Sequence, residues 1–221
     1  MNAPHHAPHR DRPRRGDAHR NRQRLLDAAG ILVGARGTDV PLDEIARTAG
    51  LSSGTLYRNF ASRADLLRAM YDVLVDRLDL LVERVLAAPS GWEAITTYVD
   101  GVVAIADAHP ELGPVFAYMR GNEPGYRPGD HWVAPAQEIA ARAHGEGSLR
   151  ADATATDLTY VPHLLVPLAR WREPQRGVLL ARMRAVLLDG LRRHDHHEPL
   201  PRQPLGVADL RAAAFSGVVP G

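Results

Sequence analysis

The chain of 221 residues is predicted to be all-α. Apolar residues recur at helical spacing over most of its length, and turn-rich stretches such as "GNEPGYRPGD" and "GEGSLRAD" separate the helical segments. No series of β-branched segments with a period of two residues occurs. The expected architecture is a three-helix domain that contains a helix-turn-helix, followed by a long fourth helix that joins it to a larger helical domain.

The first helix is expected to start at about Asp17, because an apolar stripe follows at positions i, i+4, i+7 and i+8: Leu25, Ala29, Leu32 and Val33. Gly34 and Gly37 are expected to end this helix. Residues 1–16 are rich in Pro, His and Arg and have no hydrophobic period. We therefore predict that they form a disordered basic arm.

Two short helices and a long one are predicted next. The segment 42–49 presents one apolar face, Gly50 breaks it, and Ser52 is a suitable N-cap for a third helix that continues through Asn59. Ser62 is expected to cap a fourth helix that ends near "APSG". Its apolar positions are Leu66, Leu67, Met70, Leu74, Leu78, Leu81 and Val85.

Five further helices are predicted after a break at residues 89–91, over residues 92–108, 112–120, 132–144, 154–172 and 175–194. Pro162 and Pro167 fall inside the fourth of these segments. Because a proline in a helix interior costs about 3 kcal/mol, we expect a kink or a break there. The stretch 195–221 contains several prolines and is predicted to be a flexible tail.

Charge is distributed unevenly along the chain. Residues 1–63 contain 11 arginines and 6 acidic residues, whereas residues 64–221 contain 16 arginines and 20 acidic residues. The front of the chain therefore suits a polyanionic partner. Cysteine is absent, which excludes disulfides and thiolate chemistry. No apolar run approaches the roughly 20 residues of a membrane span, and no secretion signal is recognised, so a cytoplasmic location is expected.

The stretch "AGLSSGTLYRNF" admits two interpretations. Gly50, Ser52 and Gly54 spell G-x-S-x-G, the pattern of a hydrolase nucleophile elbow. Such an elbow needs a buried strand directly before the serine, but the preceding "DEIARTA" has helical spacing. A lone pattern of five residues has low specificity. We therefore predict no enzymatic activity and keep serine hydrolase as a remote alternative.

The helix-turn-helix interpretation explains more of the stretch. Ala46 is small where two helices would cross, Gly50 supplies the turn, and Leu56 would fill the angle between the helices. Two short helices joined by a turn of about three or four residues place the second helix in the major groove of DNA. This interpretation makes the chain a DNA-binding protein.

The segment "LDEIARTAGLSSGTLYRNFASRADLL" resembles the DNA-binding domain of TetR-family transcriptional regulators. The match covers about residues 22–70 and rests on Ile45, Ala46, Ala49, Gly50, Gly54, Thr55, Leu56, Tyr57, Phe60, Arg63 and Leu66. Two positions depart from the family pattern. Pro41 and Leu42 replace the frequent Ser or Thr at the start of the second helix, and Arg63 replaces the usual Lys.

The resemblance implies a DNA-contacting surface made of Ser52, Ser53, Gly54, Thr55, Tyr57, Arg58, Asn59 and Arg63. Arg58 and Asn59 are predicted to read base edges, since Arg pairs with guanine and Asn with adenine. Thr55, Tyr57 and Arg63 are predicted to contact phosphates. The arginines of the arm and of the first helix either enter the minor groove or form a solvated tail, and the sequence leaves both open.

The resemblance also implies a carboxy-terminal domain that binds a ligand and dimerises. Ligand-binding candidates are Tyr98, Phe116, Met119, Trp132, Tyr160, His163 and Trp171, because pockets between helices are lined by apolar and aromatic residues with a few polar groups. The last two long helices are expected to form a homodimer. Their apolar candidates are Leu158, Val161, Leu165, Leu168, Leu179, Met183, Val186 and Leu187.

The predicted function is that of a DNA-binding transcriptional repressor released from its operator by a small, largely apolar ligand. A ligand-independent regulator or activator and an architectural DNA-binding protein stay open as alternatives. No cofactor is expected, and the histidine-rich ends, including "HDHHE", lack the ligand spacing of a metal site. Residues 17–64 form the expected DNA-binding domain and residues 65–194 the expected ligand-binding and dimerisation domain.

Overall fold

The all-α prediction is confirmed by the computed structural model, which describes residues 15–196 and 198–201. These residues contain nine α-helices and no strand, apart from an isolated bridge between Leu149 and Arg192. The helices are α1 (Arg15–Arg36), α2 (Leu42–Thr48), α3 (Ser53–Asn59), α4 (Arg63–Leu86), α5 (Gly91–Ala108), α6 (Leu112–Asn122), α7 (Val133–Gly145), α8 (Ala155–Leu165) and α9 (Gln175–Leu191). Short 3₁₀ helices at Pro128–Trp132 and Val166–Arg170 precede α7 and follow α8.

Helix α1 differs from the prediction at both ends. It begins at Arg15, two residues early, and residues 1–14 of the predicted basic arm lie outside the described residues. Gly34 lies inside the helix and does not end it. A Cβ at Gly34 would stand 2.8 Å from Pro110 Cγ, so this glycine serves close packing instead. Gly37, with a φ of +85°, follows the helix as predicted.

Hydroxyl caps start several of the helices. Ser52 and Ser62 accept backbone N–H groups at the starts of α3 and α4, as predicted. Ser90 does the same for α5, and Thr154 forms a reciprocal capping box with Asp157 at α8. Each cap satisfies donors that a helix start would otherwise leave without a partner.

Two hydrophobic cores are joined by α4. The first core contains buried residues of α1, α2, α3, α6 and the front of α4, among them Leu25, Leu56 and Leu66. The second contains buried residues of α5, α7, α8, α9 and the rear of α4. Helix α6 therefore packs with the first core, although its sequence lies far beyond the helix-turn-helix. Helix α4 thus contributes buried residues to both cores.

The break expected near the two prolines is present. Helix α8 continues past the buried Pro162 but ends at Leu165, two residues before Pro167. A 3₁₀ helix that includes Pro167 follows. Pro167 has no N–H to donate to the carbonyl four residues earlier, which explains why the regular α-helical hydrogen bonding stops here.

Part of the predicted flexible tail is held against the body of the protein. Arg150, only 7% exposed, donates to the carbonyl of Glu198 at 2.8 Å and forms an ion pair with Asp152. Asp152 in turn accepts the N–H of Leu200 at 2.7 Å. Residues 202–221 lie outside the described residues.

Candidate DNA interface and ligand cavity

Helices α2 and α3 form a helix-turn-helix. Gly50 adopts a φ of +64°, and the N–H of Leu51 donates to the carbonyl of Ala46 at 2.9 Å, which closes the turn. Ala46 is 1% exposed and Leu56 is fully buried. The small residue at the crossing and the leucine between the helices therefore have the places that the sequence predicts.

The serine of the G-x-S-x-G pattern caps a helix. Ser52 Oγ accepts the N–H of Thr55 at 3.2 Å and lies 3.0 Å from Thr55 Oγ1. The segment before this serine is helix α2 and a tight turn, where a nucleophile elbow needs a strand. The pattern is accordingly a helix start in this fold.

The outer face of α3 carries most of the predicted DNA-contacting residues. Ser53, Gly54 and Arg58 are exposed, and Tyr57 keeps 51% of its surface accessible although the preceding Leu56 is buried. A Cβ at Gly54 would meet only Ser52 Oγ, at 4.0 Å, so the backbone here is open to close approach. This face forms a continuous polar strip with one aromatic ring.

Two side chains of α3 are oriented by Thr55. Arg58 Nη2 donates to Thr55 Oγ1 at 2.9 Å, and Asn59 Nδ2 donates to the Thr55 carbonyl at 2.8 Å. Asn59 is half-buried, whereas Arg58 is exposed. Arg58 therefore has more freedom to leave its intramolecular bond and contact a partner.

Arg63 is directed at the backbone before α2. Its Nη1 donates to the carbonyls of Thr38 and Val40, the latter at 2.7 Å. Phosphate contact stays a prediction for this residue. The structure adds Arg22 and Arg24 of α1 beside α3: Arg22 lies 4.5 Å from the Phe60 ring centroid, and Arg24 Nη2 lies 3.4 Å from the Gly50 carbonyl oxygen. In the sequence, the signal for these two residues was the group of arginines at the start of α1.

A cavity of about 640 Å³ lies among α4, α5, α6, α7 and α8. Six of the seven ligand-binding candidates line it: Tyr98, Phe116, Met119, Trp132, Tyr160 and His163. Trp171 does not, which corrects the prediction. The 3₁₀ helix after α8 carries Trp171 to the outside of the protein, where it is 55% exposed and lines a separate apolar groove with Val178.

Two polar groups of the cavity are perturbed by burial. Desolvation raises the pKa of Tyr98 to about 12. It also lowers the pKa of His163, although this side chain keeps accessible surface where it lines the cavity. His163 Nδ1 lies 2.9 Å from the Thr159 carbonyl oxygen, so Nδ1 carries the hydrogen and Nε2 of the neutral ring is an acceptor.

Comparison with known proteins agrees with this geometry. The sequence profile described as "Bacterial regulatory proteins, tetR family" matches residues 25–70. The HTH-type transcriptional regulator SrpR of Pseudomonas putida is 36% identical over 93 residues, which cover 42% of this chain and 41% of SrpR. The chain spans between 41% and 65% of the length of the curated relatives it matches.

Solved structures extend the similarity over most of the chain. The TetR regulator SCO0520 of Streptomyces coelicolor is 29% identical, with a TM-score of 0.55, over 77% of this chain and 98% of that one. A gamma-butyrolactone receptor described as ArpA-like is 25% identical, with a TM-score of 0.62, over 90% of this chain and 95% of that one.

Residues 25–70 thus match the TetR family, and the chain as a whole resembles solved TetR regulators. Its helix-turn-helix is the part that the family profile matches, and its start of α2 departs from the family pattern. Pro41 makes no side-chain cap there, and Glu44 in the first turn forms an ion pair with Arg36 at 2.7 Å. Negative charge at a helix start interacts favourably with the helix dipole. This interaction stabilises the start of α2, where a hydroxyl cap is absent.

A segment that we call the strap, residues 123–132, is attached to α4 along one face. Arg68 forms an ion pair with Glu123, Asp72 accepts from the Tyr126 hydroxyl at 2.5 Å, and Asp79 accepts from Trp132 Nε1 at 2.5 Å. The bond to Asp72 is the main reason why the pKa of Tyr126 is raised to about 12. None of these contacts was predicted from the sequence, although positions 68, 72 and 79 share one helical face and offered a signal.

The surface predicted for dimerisation needs correction. Leu158, Val161 and Leu165 are buried in the second core of the same chain, so they are not available to a partner. Leu168, Leu179, Met183 and Leu187 are half-buried. The exposed large aliphatic residues of α8 and α9 are Val186, which was predicted, at 58%, and Leu164 and Val178, which were not, at 61% and 70%. The apolar residues of these helices divide between an inner and an outer face, and the sequence did not tell the two apart.

No group of three or more His, Asp or Glu suited to a metal ion occurs within the described ranges. His194 Nε2 contacts Asp189, and the histidines of residues 5–9 and His197 lie outside what the structure describes. Among the described residues, none of the helices is long and apolar enough to cross a membrane.

Proposed function

We propose that this protein is a homodimeric repressor that binds operator DNA through α3 and leaves it when a small, largely apolar ligand enters the cavity. The observation that carries the proposal is the double role of α4. Leu66, Met70 and Leu74 of this helix belong to the core of the helix-turn-helix, and Leu78 and Val85 line the cavity. A molecule in the cavity therefore contacts the same helix that supports the DNA-binding surface.

DNA recognition is assigned to residues 52–55, 57–59 and 63. Arg58 and Asn59 read base edges, with Arg58 as the principal reader because it is exposed and bound to the Thr55 hydroxyl by a hydrogen bond that it can exchange. The DNA backbone is contacted by Ser52, Ser53, Thr55 and Tyr57. The open main chain at Gly54 lies close to a DNA phosphate. Arg63 donates a hydrogen bond to the backbone just before α2, and it reaches a phosphate only if it leaves the Val40 carbonyl.

Replacing Arg58 by Ala tests the base-reading role. We expect the loss of about 1–3 kcal/mol of binding free energy per half-site on the DNA upstream of the gene itself, with little change on random duplex. The measurement is a footprint and a titration at one stated salt concentration. Arg84→Ala is the matched control, because Arg84 is an exposed arginine near the far end of α4. An unchanged footprint for Arg58→Ala overturns the assignment.

Ligand control requires that operator and ligand prefer different conformers of the protein. The cavity supports such a role because its lining is mostly apolar and aromatic, as in small-molecule sites. One similar protein carries the name gamma-butyrolactone receptor, which agrees with a small-molecule ligand here. Loss of footprint protection on adding a compound, and its return on removing that compound, is the expected result.

The alternatives give different outcomes in the same experiments. An architectural DNA-binding protein binds random duplex as tightly as its own upstream DNA, so a specificity ratio near one favours it. An activator of this fold protects DNA and raises transcription in a purified system. A repressor lowers transcription when it protects the same DNA.

A further inference from the structure

The polar groups that line the cavity differ in whether they already have partners. Four charged side chains line it: Arg120, Glu123, Arg127 and Asp130. Glu123 Oε2 accepts from Arg68 Nε at 2.9 Å, and Arg127 Nε donates to the Pro124 carbonyl at 2.7 Å. Asp130 also has an interaction partner. Arg120 is the exception within the described chain, since it makes no hydrogen bond or ion pair there.

Arg120 places a positive charge at one end of the cavity. Desolvation raises the pKa of Tyr71; the charge of Arg120 opposes this rise, and Asp130 and Asp72 add to it. Burial lowers the pKa of His163, and Arg120 adds to that lowering, so Arg120 lies near both residues. The pKa of Tyr98 is shifted by burial alone, with no contribution from Arg120. The cavity therefore has a charged end beside Arg120, Tyr71 and His163, and a neutral, buried end beside Tyr98.

Two acidic residues of α4 beside the cavity are hydrogen-bonded to the strap. Asp72 accepts from the Tyr126 hydroxyl, and Asp79 accepts from Trp132 Nε1. The ring of Tyr126 is itself covered by Arg68, whose guanidinium lies 5.0 Å from the ring centroid. These two carboxylates and the face of Tyr126 thus already have partners within the protein.

Building on the proposed ligand control, we infer that the ligand is an amphipathic carboxylic acid in its ionised form. Its carboxylate pairs with Arg120 at the mouth of the cavity, and its apolar body lies among the aromatic residues toward Tyr98. Arginine suits this role because its planar guanidinium binds a carboxylate with two parallel hydrogen bonds. Neutral His163 completes the charged end with an acceptor at Nε2 for a ligand hydroxyl or N–H group.

Three probes with one chain length test the inference: dodecanoate, dodecanol and dodecylamine, each below its micelle concentration. Binding is followed by calorimetry and by tryptophan fluorescence, with no DNA present, because Trp132 lines the cavity whereas Trp92 and Trp171 do not. We expect dodecanoate to bind about tenfold more tightly than dodecanol, because hydrogen bonds to charged groups are the stronger class, and dodecylamine to bind most weakly.

Variants separate the charge from the shape of the site. Arg120→Gln should weaken dodecanoate about tenfold, to the level of dodecanol, and leave dodecanol unchanged, because Arg120 is exposed and its removal leaves the fold intact. Arg120→Lys should retain part of the preference through its charge. Arg77→Gln is the control, since Arg77 is an exposed arginine of α4 that does not line the cavity.

Four outcomes overturn the inference: equal binding of dodecanoate and dodecanol, tightest binding of dodecylamine, no binding of any probe, or no effect of Arg120→Gln. Release of the protein from its upstream DNA is measured separately. Arg120-dependent binding of dodecanoate without release contradicts the ligand-controlled repressor and leaves the ligand class standing. Release by another compound that does not depend on Arg120 supports the ligand-controlled repressor and contradicts the proposed ligand class.

Discussion

Gly91, the first residue of α5, is tightly enclosed. A Cβ at this position would stand 2.4 Å from the backbone nitrogen of Ala143 and 2.6 Å from its Cα. The Gly91 N–H donates to both carboxylate oxygens of Glu146, at 2.9 and 2.7 Å. The neighbour is backbone, which moves less readily than a side chain, so α5 and α7 meet at a contact that only glycine permits.

Replacing Gly91 by Ala should therefore lower the free energy of unfolding by about 1–3 kcal/mol, the range for overpacked cores. The matched control is Gly113→Ala in α6, where no atom lies within 4 Å of the added methyl. There we expect no loss, or a gain of up to about 1 kcal/mol, because alanine favours the helix. Urea unfolding of both variants at the same protein concentration measures the difference, and equal stability of the two contradicts the packing argument.

At the scale of elements, the segment after α9 is attached by charge to the loop between α7 and α8. Arg150 donates to the carbonyl of Gly190 at 3.1 Å and to that of Glu198, so it holds the chain on both sides of the end of α9. Its ion pair with Asp152, supported by the N–H of Leu200, keeps the pKa of Asp152 well below its usual range. This attachment depends on an ionised carboxylate.

The lowered pKa of Asp152 predicts how the attachment varies with pH. A carboxyl group whose pKa is lower in the folded state contributes stability that is complete above its unfolded pKa of about 3.9 and is lost as the pH falls toward the folded value. The wild-type protein should therefore be more stable than Asp152→Asn at pH 7, and the gap should narrow below about pH 4. Urea unfolding across this range measures it. A gap that does not change with pH contradicts the ionic attachment.

At the scale of the whole molecule, dimerisation decides whether two copies of α3 reach the same operator. Leu164, Val178 and Val186 leave an apolar outer face on α8 and α9, beside a groove of about 340 Å³ that Trp171 and Pro174 help to line. An exposed apolar face of this kind is typical of an interface between subunits. A two-fold dimer through this face would present two recognition helices to DNA together.

Val186→Glu should break the proposed dimer, because it places a charge in a desolvated interface. We expect a dissociation constant raised on the order of a hundredfold, about 3 kcal/mol, with a parallel loss of operator affinity. Sedimentation equilibrium measures the first and a DNA titration the second. Leu80→Glu is the control, since Leu80 is 62% exposed on α4, close to the 58% of Val186. Equal dimerisation of the two variants contradicts the proposed interface.

The helix-turn-helix was determined largely by the sequence itself. Ser52 caps α3, Gly50 takes the left-handed turn, and Ala46 and Leu56 are buried as their spacing predicts. These signals act within a few residues of each other, through one hydroxyl, one backbone angle and one helical period. Local interactions of this kind do not depend on the rest of the fold.

The tertiary structure alone decided which apolar face of α8 and α9 is inside and which neighbours the polar groups meet. Trp171, predicted for the ligand site, is on the outer surface, and Leu158, predicted for the dimer, is in the core. Contacts such as Arg68 with Glu123 join residues 55 positions apart. Helical period shows that a face is apolar, but what covers that face depends on how distant helices pack, which no short stretch of sequence contains.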